Sequence, residues 1–123
     1  MSKELVISAL VMLGLDTAYI SVIKNDYLNQ IQDIQKTVPN VNMVGVLLSY
    51  SLMIFGINYF IIQKNASILD AFLFGIVIYG IYDATAYALF SKWSVNLAII
   101  DTIWGGILMM TTAYLTYKLS TFV

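Results

Sequence analysis

Three aspartates, at positions 16, 83 and 101, interrupt otherwise apolar stretches of this chain. An aspartate at the centre of a membrane-spanning helix costs about 2.5–3.5 kcal/mol on insertion scales, so such acids need partners inside a helix bundle. Each lies eight or nine residues from a lysine that ends an apolar stretch, Lys24 for Asp16 and Lys92 for the other two. At about 1.5 Å per helical residue, all three would lie roughly 12–14 Å below one membrane surface. We therefore expect the three acids to share one layer.

Side chains with hydroxyl or indole donors accompany these acids at helical spacing. Tyr19 comes three residues after the first acid, and Trp104 comes three residues after the last. Tyrosine hydroxyls and the indole N–H can donate hydrogen bonds to a carboxylate in a dry environment. Counting along the second apolar stretch places Tyr50 at a similar depth. The predicted intramembrane polar site comprises Asp16, Asp83, Asp101, Tyr82, Thr85, Trp104, Tyr50 and Tyr19.

No lysine, arginine or histidine stands inside the apolar stretches to neutralise the three acids. Two carboxylate charges about 8 Å apart, at an effective dielectric constant of about 20, repel each other by about 2 kcal/mol. We therefore expect at least one acid to be protonated at pH 7, to share a proton, or to coordinate a cation. A metal ion, if one binds, would use Asp16, Asp83 and Asp101, and no cofactor is predicted beyond such a cation.

Three classes of function stay open. The acids could bind or transport a proton or a cation, which a water-filled cavity reaching them from one membrane side would favour. The protein could instead be a structural or accessory membrane protein, such as a scaffold or a viral-membrane component, with every acid satisfied by Tyr or Trp in a dry layer. A lipid-modifying enzyme, favoured by a groove opening sideways at the acids, is the weakest alternative because the chain has no His, no Cys and no nucleophile motif. We place proton or cation handling first, and we favour a protein without catalysis.

The composition indicates that this chain lies in a lipid membrane. Of its 123 residues, 60% are apolar and 11% are charged, whereas soluble domains average about 45–50% and about 25%. Four apolar stretches are each close to the roughly 20 residues that a spanning helix needs, and all six lysines lie at or outside their ends. A net charge of -1 gives no basic patch for nucleic acid. We predict an all-α, multi-pass integral membrane protein, one domain (1–123) of four transmembrane helices in a small bundle, at 5–23, 41–62, 68–90 and 94–117.

One long polar segment, 24–40, separates the first two apolar stretches. Its apolar residues recur at helical spacing between Asn, Gln, Asp and Lys, which predicts a short amphipathic interfacial helix between helices 1 and 2 that ends at Pro39. A plain loop is the alternative. Three lysines fall on each side of the membrane, so the positive-inside rule gives no orientation. The residues that carry the helical spacing are Tyr27, Leu28, Ile31, Ile34 and Val38.

Small residues spaced by four recur in the first, third and fourth stretches. Such ridges let helix backbones approach closely, which is how helices associate in lipid. We therefore expect these three helices to touch, either within one chain or between chains. The partners implied are the bilayer itself and either further copies of this chain, as a homo-oligomer, or another membrane protein. The predicted packing residues are Gly14, Gly80, Ala84, Ala88 and Gly106.

Three motifs lie in and between the last two apolar stretches: Gly75-x-x-x-Tyr79-Gly80-x-Tyr82-Asp83-x-Thr85, Lys92-Trp93-Ser94 and Asp101-x-x-Trp104-Gly105. They resemble a known family, the domain of unknown function 2177 family of small predicted membrane proteins. In the first stretch, Leu15-Asp16 and Tyr19 are similar to the opening Asp-x-x-Trp of that family. The resemblance covers nearly the whole chain, and it implies a four-helix integral membrane protein without implying an activity.

The chain departs from the family pattern at three places. Ala86 stands where the pattern has an asparagine after the threonine, and Tyr19 stands where it has tryptophan. The turn lacks the glycine that follows its lysine, and Ser94 replaces its proline. If the missing asparagine were catalytic in the family, this chain would be impaired or altered.

Overall fold

The computed structural model describes residues 2–35 and 42–122, and these residues form helices joined by short turns, without a strand. The α-helices are α1 (Ser2–Gln35), α2 (Met43–Ile57), α3 (Ile68–Leu89) and α4 (Val95–Leu119), and a π-helical turn (Asn58–Ile62) continues α2. The all-α, four-helix prediction is confirmed. Four helical segments are long and apolar enough to cross a membrane: Lys3–Asp26, Met43–Ile62, Ile68–Leu89 and Val95–Leu119.

Polar side chains fix where three of the helices begin. Asn42 accepts hydrogen bonds from the backbone N–H groups of the first turn of α2. Ser67 accepts one from the N–H of Asp70 at 3.0 Å, and Ser94 accepts one from the N–H of Leu97 at 3.2 Å. Each bond satisfies a donor that has no partner within its own helix. These caps confine the chain reversals to short turns outside the apolar segments.

Contacts along α1 and α4 show that these two helices are antiparallel. Near the end of α1, Gln30 accepts a hydrogen bond from the backbone N–H of Ser94, just before α4 begins. Earlier in α1, Asp16 accepts one from the indole N–H of Trp104, which lies farther along α4. Residue numbers along α1 decrease as the numbers of their contacts along α4 increase. The first half of α1 therefore lies beside the second half of α4.

Helix α1 corrects the prediction of a separate interfacial helix. The polar residues from Lys24 to Gln35 continue α1 without a break, because this segment contains neither glycine nor proline to interrupt it. Gln30 is buried where it contacts the turn before α4, so this end of the helix is held against the rest of the protein. Val38 and Pro39, the predicted end of the interfacial helix, lie outside the described residues.

Glycines let α3 and α4 touch backbone to backbone. A Cβ atom on Gly75 would collide with the carbonyl group of Gly105, and one on Gly105 would collide with the ring of Tyr79. A Cβ atom on Gly106 would lie 2.8 Å from the ring of Phe72. Only glycine fits at these positions, so the three glycines set how closely α3 and α4 pack.

The predicted packing residues divide into two groups. Gly106 is buried against α3, and a Cβ on Gly80 would lie 3.4 Å from Thr102 of α4. Gly14, Ala84 and Ala88 are exposed on the single chain, so their predicted role in packing stays a prediction for contacts between chains. Spacing by four shows that residues share a helix face but not that a neighbouring helix covers this face. Gly75 and Gly105, which do pack, were missed.

The tightest core lies in the half of the bundle that contains the start of α1 and the end of α4. Met12, Ile57, Leu108 and Met109 are all fully buried there. Towards the other end, α2 has no buried residue before Gly56. Its first half therefore leaves open space against the neighbouring helices, and the site described next borders this space.

Candidate functional site

Asp16 of α1 connects three helices through its carboxylate. It accepts hydrogen bonds from the hydroxyl of Tyr50, on α2, and from the indole N–H of Trp104, on α4, the latter at 3.1 Å. Its side chain is only 6% exposed. Both donors are neutral, so these bonds satisfy the oxygens of the acid without cancelling a negative charge.

Asp101 of α4 forms the counterpart of this arrangement. It accepts a hydrogen bond from the hydroxyl of Tyr19, on α1, at 3.2 Å, and it is also 6% exposed. The rings of Tyr19 and Trp104 stack with centroids 4.7 Å apart and planes 4° from parallel. Helices α1 and α4 therefore exchange donors, since the aromatic residue of each donates to the aspartate of the other. We call Asp16, Asp101, Tyr19, Tyr50 and Trp104 the aspartate cluster.

The local sequence explains this exchange. In both helices the aromatic residue follows the acid by three positions, so the two side chains lie on the same helix face. When two antiparallel helices with this pattern face each other, each aromatic residue is brought level with the opposite acid. The two aromatic rings then lie side by side and stack.

A cavity of about 840 Å³ ends at the aspartate cluster and has residues of all four helices in its lining. Lys24 and Asn42 lie in its lining at one end, and Asp16 and Tyr50 lie at the other. Lys24 follows Asp16 by eight residues and Asn42 precedes Tyr50 by eight, which is roughly 12 Å along each helix. The cavity thus extends from the level of Lys24 and Asn42 to the buried carboxylates. Apolar side chains dominate the walls, including Ile20, Ile23, Leu28, Val46, Leu52 and Ile78.

Asp83 lies outside this cavity. It is 1% exposed and lines a separate groove of about 420 Å³ formed by residues of α3 and α4 alone. Within the described part of the chain, no three acidic, histidine or cysteine side chains lie close enough to hold a metal ion. The structure therefore places Asp16 and Asp101 on the lining of one cavity and Asp83 on the lining of another. Counting residues along a helix gives the depth of a side chain but not the direction in which it points.

The remaining predicted site residues are also divided. Tyr82 lines the large cavity and packs edge-on against Trp93, with ring centroids 6.1 Å apart. Thr85 is exposed on α3 and belongs to neither cavity lining. The structure thus brings together six residues of the predicted polar site: Asp16, Asp101, Tyr19, Tyr50, Tyr82 and Trp104.

Most residues of the cavity lining were absent from the predicted site, and four of them are considered next. The hydroxyl of Tyr79 points to the sulfur of Met53, at 3.6 Å, and both line the cavity together with Lys24 and Asn42. Tyr79 precedes Asp83 by four residues, and this helical spacing could have identified it. Nothing in the sequence indicates that Lys24 and Asn42 border the same opening, because their proximity depends on how α1 and α2 pack.

Comparison with known proteins identifies one family. The family described as Predicted membrane protein (DUF2177) matches residues 1–118. No curated protein and no solved structure matches the chain.

Proposed function

Since the chain belongs to the Predicted membrane protein (DUF2177) family and is an integral, multi-pass membrane protein, we propose that it binds a proton or a cation at Asp16 and Asp101. The single observation that carries this proposal is the cavity that leads to these two buried carboxylates. An acid within a membrane segment is by default a functional candidate, and here two of them border one opening.

Electrostatics supports a positively charged occupant. The lining of the cavity contains two acids and one lysine, Lys24, which lies at the opposite end from Asp16. Tyrosine and tryptophan supply hydrogen bonds to the carboxylates but no positive charge. In surroundings of low dielectric constant a buried charge is costly, so protonation or a bound cation would lower the cost of burying these acids.

The packing favours access to the site from one side. From the Lys24 end, the cavity extends to the aspartate cluster. Beyond the cluster, the fully buried side chains of Met12, Ile57, Leu108 and Met109 fill the bundle. Binding requires no rearrangement of this core. Transport across the membrane would require a second conformation in which these side chains separate.

A structural role is the second candidate, and a specific observation favours it. Hydrogen bonds to Asp16 and Asp101 join α1 to α4, and α1 to α2. Such bonds could serve only to hold the helices in register. The two functions predict different responses near neutral pH, because a proton or cation site changes its occupancy there, whereas a structural clamp keeps one protonation state and does not respond to cations.

Fluorescence of Trp104 offers a direct test, because its indole N–H donates to Asp16. The second tryptophan, Trp93, would be replaced by Phe to leave a single tryptophan. Purified protein in lipid would be titrated with acid near neutral pH and, separately at constant pH, with sodium, potassium, magnesium and calcium chloride. We expect at least one of these additions to shift the Trp104 emission. The shift should be absent in Asp16→Asn.

Asp70→Asn is the matched control, because Asp70 is exposed at the start of α3 and lies outside both cavity linings. This variant should retain the full emission shift. An emission unaffected by every addition, or a shift that persists in Asp16→Asn, would reject the proposed function and leave the structural role.

A further inference from the structure

We propose that the cavity binds a lipophilic organic cation, with its amine or quaternary head at Asp16 and Asp101 and its apolar body along the walls. This inference rests on the proposed function and names the class of ligand for the same site. Its first support is size. A cavity of about 840 Å³ lies in the range of roughly 300–1,000 Å³ that drug-sized molecules occupy, whereas a proton or a bare metal ion needs far less space.

The second support is the distribution of polarity. Two carboxylates lie at the inner end, while Ile20, Val46 and Leu52 contribute apolar walls. A hydrated inorganic ion would lose water there without gaining enough oxygen ligands, since no three acidic groups converge in the described residues. An apolar body with a single positive charge matches both the walls and the acids.

The third support comes from the aromatic side chains of the cavity lining. Tyr19, Tyr50, Tyr79 and Tyr82 all line the cavity, on three different helices. Aromatic rings attract organic cations through the negative faces of their π-systems, and this attraction is strongest where the cation has lost its water. Rings and carboxylates together therefore favour an ammonium-type head over a neutral or an anionic one.

The fourth support is access from the lipid. Two wall residues, Ile20 on α1 and Leu52 on α2, are 43% and 68% exposed. Both residues belong to membrane-spanning helices, so an opening of the cavity between these two side chains would lead to the bilayer. A ligand already dissolved in the bilayer could reach the carboxylates through such an opening without first passing through water.

Two ions of the same size and opposite charge provide the test. Tetraphenylphosphonium and tetraphenylborate would be titrated into the purified full chain in detergent, with binding followed by isothermal titration calorimetry. We expect saturable binding of the phosphonium but not of the borate. Affinity for the phosphonium should fall at least about tenfold in Asp16→Asn and in Asp101→Asn, and it should not change in Asp70→Asn.

A glycine pair tests the cavity while leaving the acids intact. Gly45 lines the cavity and Gly14 does not, yet a Cβ atom on either would have no neighbour within 4 Å. Gly45→Leu should therefore weaken phosphonium binding at least about tenfold by filling the cavity, and Gly14→Leu should bind as the natural chain does. This pair keeps the test decisive even if an aspartate variant fails to fold.

The outcomes separate this inference from the proposed function. If both ions bound equally, or if all variants had the same affinity for the phosphonium, the signal would come from partition of the ions into the detergent. Either result would overturn the inference. Absence of phosphonium binding, together with an Asp16-dependent shift of Trp104 emission, would overturn the inference while the proposed function stands. If the Trp104 emission shifted in the same way in the Asp16→Asn variant, the proposed function itself would be overturned.

Discussion

Tyr19 and Trp104 stack face to face with ring centroids 4.7 Å apart, and each donates a hydrogen bond to the aspartate on the helix of the other. This reciprocal contact joins the first helix of the protein to the last. It also places two carboxylates, Asp16 and Asp101, on the lining of one cavity.

We predict that removal of the Tyr19 hydroxyl weakens the bundle by a modest amount. Tyr19→Phe keeps the stacked ring but loses the bond to Asp101. Hydrogen bonds between membrane helices contribute about 0.6 kcal/mol on average and up to about 1.7 kcal/mol. A double-mutant cycle with Asp101→Asn, measured by reversible unfolding in mixed micelles, should give a coupling energy in this range.

Tyr19→Phe combined with Asp70→Asn is the control cycle, because Asp70 is exposed at the start of α3 and lies outside the cavity that Tyr19 lines. Its coupling energy should be close to zero. An equal coupling energy in both cycles would show that the hydroxyl does not act through Asp101.

We predict that the backbone contact between α3 and α4 tolerates no side chain. Gly75→Ala places a methyl group against the carbonyl of Gly105, and overpacking of this kind costs about 1–3 kcal/mol. Gly14→Ala, at a position with no neighbour within 4 Å, should be neutral or slightly stabilising. Unfolding in mixed micelles compares the two variants, and equal stabilities would contradict the described crossing of α3 and α4.

We predict that Gln30 holds the end of α1 against the turn before α4. Gln30→Ala removes the acceptor of the Ser94 backbone N–H, so hydrogen exchange at this amide should become faster. The neighbouring Gln32 is exposed, and Gln32→Ala should leave the exchange rate unchanged. Hydrogen exchange read by mass spectrometry gives the answer, and a slow Ser94 amide in both variants would show that another group protects it.

We predict that the cavity contains water. The natural sequence has no cysteine, so a single introduced cysteine reports the surroundings of its own position. Ser49 lines the cavity, whereas its neighbour Leu48 is exposed outside the cavity lining. Ser49→Cys should react with a membrane-impermeant maleimide much faster than Leu48→Cys does in liposomes. Equal rates would mean that water does not reach Ser49 from the Lys24 end of the cavity.

Much of the fold follows from the sequence because lipid imposes strict rules. Four apolar stretches bounded by lysines predict four helices, since only helices of this length satisfy their own backbone groups in a membrane. The extent of α1 was underestimated because the polar residues after Lys24 were assumed to mark a new element. A helix ends where its backbone is interrupted, and the described part of this segment contains no such interruption.

The candidate site was only partly predictable. Spacing by three correctly placed Tyr19 beside Asp16, and Trp104 beside Asp101, on shared helix faces. The exchange of hydrogen bonds between the two helices could not be derived, because it depends on which faces meet. For the same reason Asp83, although buried as an acid in lipid should be, lines a separate groove between α3 and α4.

Infrared difference spectroscopy tests the central claim most directly, because it observes the carboxyl groups themselves. Purified protein in lipid would be compared around pH 7 with and without added cations, alongside Asp16→Asn, Asp101→Asn and the control Asp70→Asn. The account predicts a protonated carboxyl band, or a cation-dependent carboxylate band, that is lost in the first two variants and retained in the control. If both acids were ionised and unaffected by cations, the proposal of a proton or cation site would be contradicted.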